Sequence, residues 1–441
     1  MNYRGIAYVM GTLLVVTGAA MLAPAFVAAI YGEDDLAALL ISAVVSCAIG
    51  LPLRLGFSHG NVLDTRDAIA IAAFGWIIIS AVSTLPFILH GSIPSFTDAF
   101  FEMMSGYTTT GATILTDIEV VPHGLIFWRS ETHLLGGMGF LTLTIIFLPH
   151  GVAGLRIFRA ESSPGQVITR ERFTARNRDA ITYLWVIYLS LNLLQVILMC
   201  AGGMSLFDSL CHAFGTVSTS GYSPYNASIG HYQNAYFDWI IILFMFLGGV
   251  TFMLFYHAAR REWKVIRINT EFRWYLGFLL FFCSAATWLL WTDGTYGFVD
   301  SLRYGTFQVV SLLTTTGFTT TDYELWPQAA QMLLVVVCFV GACAGSTTSG
   351  IKVVHYVVIW KFMVGAIKKI FFQPLAVLSV RINELPVDKG VVYLSICYFI
   401  VNVFMVLGGG LVMTLLDDMD AITAMSSVIA ALMNIGPGFG D

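Results

Sequence analysis

Residues Thr108–Thr113 read TTTGAT, and Thr314–Thr319 read TTTGFT. These near-identical polar stretches stand 206 residues apart in a chain of 441 residues that is 57% hydrophobic and only 11% charged. A soluble domain carries about 25% charged residues. Here the mean hydropathy is +0.79, and several apolar runs reach the roughly 20 residues that a helix needs to cross a bilayer. The chain therefore reads as an all-α, polytopic membrane protein. The ~10-residue alternating segments of a transmembrane β-barrel are absent from the sequence.

The motif occurs twice more. Thr216–Ser223 read TVSTSGYS and Asn434–Gly440 read NIGPGFG. Aligned on one glycine each, the four sites are Gly111, Gly221, Gly317 and Gly436, at intervals of 110, 96 and 119 residues. An acid precedes each: Asp98 and Asp208 by 13 residues, Asp300 by 17 and Asp420 by 16. Asp favours helix N-termini and is expected as the N-cap of a short helix. Each unit then reads span, short helix, Ser/Thr–Gly turn, span. A helix of about 10–13 residues cannot cross the bilayer, so it is expected to enter and turn back. Non-helical backbone at that depth must be buried in protein or line a water-filled path. Four such turns around one axis make a pore. A filter replaces an ion's water with backbone carbonyls, and glycine permits the backbone angles that aim them.

Nine spanning candidates appear, at about 7–31, 36–53, 68–89, 125–149, 181–202, 235–258, 273–292, 327–364 and 390–416. The first follows Arg4 and ends near AFVAA. It is too long for the apolar core of a cleaved signal peptide and reads as a span. The eighth is too long for one straight span. With the N-terminus placed inside, 19 of the 22 Lys and Arg residues fall on the inner side, including Arg156, Arg159, Arg170, Arg172 and Arg176. Arg129 and Arg303 fall outside, and Lys352 lies within a span. This is a positive-inside pattern. Eighteen of the 27 acids fall on the outer side, which fits either solvated loops or a cation-concentrating vestibule. The seven cysteines form no C-x-x-C and read as small core residues. GGMG at Gly136–Gly139 reads as a close helix-packing contact.

These residues carry a resemblance. The chain resembles the Trk/Ktr/HKT superfamily of potassium transporters, and within it the TrkH-type subunits. The resemblance covers nearly the whole chain. It implies four membrane–pore–membrane repeats around one ion path, with two extra N-terminal helices (1–60), repeat 1 (61–155), repeat 2 (156–265), repeat 3 (266–370) and an incomplete repeat 4 (371–441). The K⁺ filter is expected from Thr109, Thr110 and Gly111; Thr219, Ser220 and Gly221; Thr315, Thr316 and Gly317; and Asn434, Ile435 and Gly436. The fourth site is divergent, with Asn434 and Ile435 in place of threonines and Pro437 after the glycine. Glycine at the first position, where some sodium-favouring relatives carry serine, implies potassium over sodium, with rubidium accepted.

The run GACAGSTTSGIK, Gly341–Lys352, is small, polar and helix-breaking, and is expected to interrupt the third repeat's second helix just below the filter. In the family the corresponding segment is an intramembrane gating loop. That implies a gate made by Gly345, Ser346, Thr347, Thr348, Ser349 and Gly350. Lys352 at membrane depth is costly and points to function, or else snorkels to the interface. The family continues beyond the fourth filter turn with one more helix, so the chain reads as a fragment of a longer product.

The resemblance implies potassium uptake in a bacterial inner membrane with a cytoplasmic N-terminus. It further implies a homodimer docked on a cytosolic TrkA-like nucleotide-binding subunit. The ion is cargo and no covalent cofactor is expected. Neither G-x-x-x-x-G-K nor a strand–GxGxxG–helix is present, so nucleotide would sit on the partner. Nucleic acid is not expected. An ion-coupled secondary transporter of another cation, sodium, is the rival, but its repeats would be inverted, whereas these share one orientation. A metalloenzyme would need H-E-x-x-H or paired histidines at helical spacing, which the sequence lacks.

Overall fold

The computed structural model describes residues 1–57, 64–139, 177–371, 380–383, 385–417 and 419–439. The second half of the 125–149 candidate, Arg156, Arg159, Arg170, Arg172, Arg176 and Gly440 lie outside these residues. The described residues divide into two compact units, one ending at Tyr232 and the other beginning at Gln233. The division falls inside the stretch 156–265 assigned to repeat 2.

The first unit opens with α1 (Tyr3–Ala20), α2 (Leu22–Tyr31), α3 (Leu36–Gly56), α4 (Thr65–Ser83) and α5 (Leu85–His90). The short helix α6 (Phe96–Tyr107) follows, then α7 (His123–Gly137), α8 (Asn177–Ala201) and a second short helix, α9 (Leu206–Val217). Threonines inside α1 return their hydroxyls to the chain, Thr17 to the Leu13 carbonyl at 3.0 Å and Thr12 to that of Tyr8 at 2.9 Å. Polar side chains in an apolar helix are thereby satisfied locally. The α1–α3 crossing is close because a Cβ at Gly11 would lie 2.7 Å from the Gly50 carbonyl oxygen. The unit's main core gathers Phe87, Met103, Leu125, Trp128 and Cys211.

The second unit holds α10 (Ala235–Gly248), α11 (Phe252–Ala259), α12 (Trp263–Ile268), α13 (Thr270–Asp293), the short helix α14 (Phe298–Leu313), α15 (Gln328–Cys338), α16 (Val353–Phe371), α17 (Lys389–Leu416) and the short helix α18 (Ala421–Leu432). A two-stranded ladder, β1 (Arg381–Ile382) with β2 (Leu385–Pro386), connects α16 to α17.

Among the described residues six helical stretches are long and apolar enough to span: Tyr3–Tyr31, Leu36–Gly56, Ile69–His90, Thr182–Ala201, Thr270–Asp293 and Lys389–Leu416. They establish a multi-pass membrane protein. The candidate span at 235–258 is bent, since α10 and α11 meet at 95°. All seven cysteines are free.

The four short helices are real, but their caps differ from the expectation. Ser95 caps α6 and Ser205 caps α9, each accepting from the amide of the Asp three residues on, at 3.4 and 3.0 Å. Asp98 and Asp208 thus sit in the first turn, where a carboxylate meets the positive helix end. Gly297 precedes α14 without a side-chain cap. Of the four acids only Asp420 is itself the N-cap, accepting from the amides of Ile422 and Thr423. Its hydrogen bond from the Thr423 side chain holds its carboxyl below the usual range. The longer interval from Asp300 to Gly317 reflects a longer helix, 16 residues against 12 for α6.

The GGMG segment packs as expected. A Cβ at Gly136 would lie 2.1 Å from the carbonyl oxygen of Tyr107, and one at Gly137 would lie 2.5 Å from Ser218 Cβ. Both neighbours lead directly into the Ser/Thr–Gly turns before Gly111 and Gly221. Overpacking a tight contact costs about 1–3 kcal/mol. Gly136→Val should therefore lower the midpoint of thermal unfolding in detergent, and an unchanged midpoint would show that the contact is loose.

Candidate ion pathway

The four turns share one backbone. The residue two before each glycine has a left-handed φ: Thr109 at 57°, Thr219 at 56°, Thr315 at 52° and Asn434 at 60°. The glycines follow at 81°, 82°, 84° and 98° for Gly111, Gly221, Gly317 and Gly436. A β-branched residue at positive φ is a genuine outlier. Three threonines held there imply surroundings that over-determine the conformation. Asn434 tolerates the region better, which explains why the divergent fourth turn keeps the shape.

Three turns are held by the same hydroxyl clip. Before Gly111, Thr108 Oγ1 donates to the Met104 carbonyl at 2.7 Å and pairs with Thr110 Oγ1 at 2.8 Å. The turn before Gly317 does this with Thr314, Val310 and Thr316 at 2.7 and 2.9 Å. Ser218 and Ser220 do the same before Gly221. Each short helix also feeds the turn through its last carbonyls. The Thr110, Ser220, Thr316 and Ile435 amides donate to the carbonyls of Ser105, Gly215, Ser311 and Ala430 at 2.8–2.9 Å. Met433 and Ile435 carry no hydroxyl, so the fourth turn has the backbone bonds without the clip.

Within each unit neighbouring turns abut in the same way. A Cβ at Gly111 would meet the Ser220 carbonyl oxygen at 2.0 Å, and one at Gly317 would meet that of Ile435 at 2.2 Å. The carbonyl before one glycine faces the α-carbon of the other. This leaves no room for a side chain.

Residues 339–352 are non-helical between α15 and α16, as expected for the interrupted eighth candidate. Val340 and Ile351 bridge in parallel. The segment's polar backbone is satisfied largely by the bend between α10 and α11. Cys343 N–H donates to the Gly249 carbonyl at 3.1 Å, and Phe252 N–H donates to the Gly345 carbonyl at 3.0 Å. Thr347 Oγ1 reaches the Gly248 carbonyl at 3.1 Å, and Thr251 Oγ1 that of Ala344 at 2.7 Å. Two irregular segments thus satisfy each other at apolar depth, and that pairing is the physical reason for the 95° bend.

The same loop touches the turns that end in Gly317 and Gly436. Ser349 N–H donates to Thr315 Oγ1 at 2.9 Å, and Asn434 Nδ2 donates to Ser349 Oγ at 3.1 Å. Gly345 and Gly350 take left-handed φ of 73° and 71°. Ser346 Oγ bonds the Cys343 carbonyl at 2.6 Å and Thr348 Oγ1 at 2.7 Å. Lys352 does not snorkel. It is 5% exposed, and its ammonium turns back on Thr348, donating to the carbonyl and, at 3.0 Å, to Oγ1.

Residues 37–441 match the family described as TrkH, cation transport protein. The chain belongs to the TrkH family. Its similarity to the Trk system potassium uptake protein TrkH of Halomonas elongata is 33% identity, covering 100% of this chain and 92% of that protein. The Escherichia coli K12 protein of the same name is 32% identical over 100% of this chain and 91% of its own length. Among solved structures, the crystal structure of the potassium transporter TrkH from Vibrio parahaemolyticus is similar with a TM-score of 0.87 and 29% identity, covering 100% of this chain and 92% of that one.

Sequence reading missed several buried polar groups of this TrkH-family fold. Glu271 on α13 accepts the Ala344 N–H at 2.7 Å and so anchors the interrupted segment. Arg129, expected on the outer side, is instead 1% exposed inside α7 and paired with Glu102 at 2.5 Å. Arg303 pairs with Asp238 at 3.1 Å. One signal was available: the residue nine before each glycine is polar in all four short helices, namely Glu102, His212, Gln308 and Ser427.

Proposed function

We propose that this chain takes up potassium ions across a bacterial inner membrane through one path. The four turns ending in Gly111, Gly221, Gly317 and Gly436 form its filter. The observation that carries this reading is the shared backbone, a left-handed Thr or Asn followed two residues later by a left-handed Gly, in all four motifs. Such a turn breaks the alternation of carbonyl directions along an extended chain and can aim successive oxygens at one ion. Names of the relatives as potassium uptake proteins support the cargo.

Residues Gly345–Gly350 and Lys352 are the gate in this reading. Their support is the pair of side-chain hydrogen bonds from the loop to Thr315 and Asn434. Each of these two ties to the turns is worth only about 1 kcal/mol net. The N-terminus is assigned to the cytoplasm from the excess of Lys and Arg on one side of the spans. Relatives named as parts of a Trk system support partner subunits; in this reading the partner is a cytosolic, nucleotide-binding regulatory subunit of TrkA type and the chain is a homodimer.

Radioactive rubidium uptake into proteoliposomes holding the chain tests the proposal, with excess cold potassium or sodium as competitor. Uptake is expected to be blocked by potassium and spared by sodium. Block by sodium alone would replace the reading with a sodium transporter.

A further inference from the structure

The four residues nine before the filter glycines lie on the short helices, and two of them, Glu102 and His212, reach the limb of chain that follows the glycine. His212 Nδ1–H donates to the Asp208 carbonyl at 2.8 Å, leaving Nε2 to accept from Ser223 Oγ at 3.1 Å. Glu102 reaches the corresponding limb of repeat 1. Its carboxylate accepts from Thr113 Oγ1 at 3.0 Å and from the Ile114 amide at 2.9 Å. It also accepts from Arg129 Nε at 2.5 Å. Arg129 in turn donates to the Ser223 carbonyl at 3.1 Å, two residues past Gly221.

Tyr222 closes the arrangement. The Arg129 guanidinium lies 3.4 Å from its ring centre. Its hydroxyl is shared between the carbonyl oxygens of Glu102 at 2.9 Å and Ala112 at 3.0 Å. Ala112 directly follows Gly111. One ion pair and one phenol therefore grip both limbs, just beyond Gly111 and Gly221.

The pair is 1% and 0% exposed at its side chains. Burying two charges is costly, and an apolar replacement of such a pair is often no less stable. What the charges deliver here is geometry, because their remaining hydrogen bonds go to the two limbs rather than to their own helices. The second unit shows that a short helix and its turn do not need this device. The same station there is Gln308, 1% exposed, and neither of its amide atoms has a hydrogen-bond partner among the described residues.

We infer that Glu102 and Arg129, with Tyr222, are positioning residues for ion selectivity, clamping the limbs that follow Gly111 and Gly221 so that the carbonyls before them keep a fixed spacing. The inference rests on the filter reading above. It is tested with the full chain in proteoliposomes, by the ratio of potassium to sodium block of rubidium uptake in Glu102→Gln, Glu102→Asp and Tyr222→Phe. Gly111→Ser serves as the filter control.

Glu102→Gln should lower that ratio about tenfold while rubidium still enters, because a charge-assisted bond is replaced by weaker ones. Glu102→Asp should recover part of it. Tyr222→Phe keeps the ring under Arg129 and should lower the ratio about threefold with little change in thermal unfolding. It decides the matter if Glu102→Gln fails to fold. An unchanged ratio in Tyr222→Phe and Glu102→Asp, with Gly111→Ser lowering it, would make the cluster a fold support and overturn the clamp alone. An unchanged ratio in Gly111→Ser as well would overturn the filter reading and the clamp with it.

Discussion

Gly317→Ser is expected to cut potassium-over-sodium discrimination at least about tenfold, a shift of about 1.4 kcal/mol between two ions. The physical reason is local. Gly317 has a φ of 84°, and a Cβ placed on it would lie 2.2 Å from the Ile435 carbonyl oxygen and 2.7 Å from Pro437 Cδ. The serine must either strain its own backbone or push that carbonyl away. In the proposed filter the Ile435 oxygen is one that replaces the ion's water. Sodium, with its smaller radius, tolerates or prefers a distorted cage. Rubidium uptake with each competitor measures the effect. A folded variant that keeps the parent's ratio would remove Gly317 from the filter.

Deleting Gly345–Ser349 is expected to raise basal rubidium flux about tenfold or more. The deletion removes the Ser349 amide that donates to Thr315 Oγ1 and the Ser349 hydroxyl that accepts from Asn434. These two bonds tie the loop to the residues two before Gly317 and Gly436. It also removes the Thr347 contacts to Gly248, which makes a gentler companion useful. Ser349→Ala loses only the bond from Asn434. At about 1 kcal/mol for one hydrogen bond, it should raise flux about fivefold. Lost flux in a deletion variant that stays folded would mean that the loop supports the path rather than blocking it.

The two experiments separate cleanly, because one reads a ratio and the other a rate. A loop that gates without touching selectivity changes only the second. A filter whose glycine is disturbed changes the first even at low flux.

Much of the fold was legible in the sequence, for reasons that are local. Apolar runs of span length, the short amphipathic helices, the four Gly motifs and the helix-breaking run at 341–352 are all properties of neighbouring residues. Propensity and hydropathy act at that range. The caps were half legible: an acid near the helix start was visible, but Ser95 and Ser205 win the cap itself. A short hydroxyl reaches the third amide, while Asp in the first turn gains from the helix end without capping it.

By itself the sequence determined the membrane class, the fourfold motif and the places where helices must break, because composition and turn chemistry decide these within a few residues. Only the tertiary structure decided the rest. It bent 235–258 where Gly248 and Gly249 lend their carbonyls to a loop about 95 residues further on. It turned Lys352 inward onto Thr348 and took Arg129 from the expected outer side to a buried pair with Glu102, 27 residues away. Each of these is a buried polar group finding a distant partner. An unpaired one is expensive in an apolar interior, so the fold must supply a partner, and which partner depends on chain crossings that no local pattern encodes.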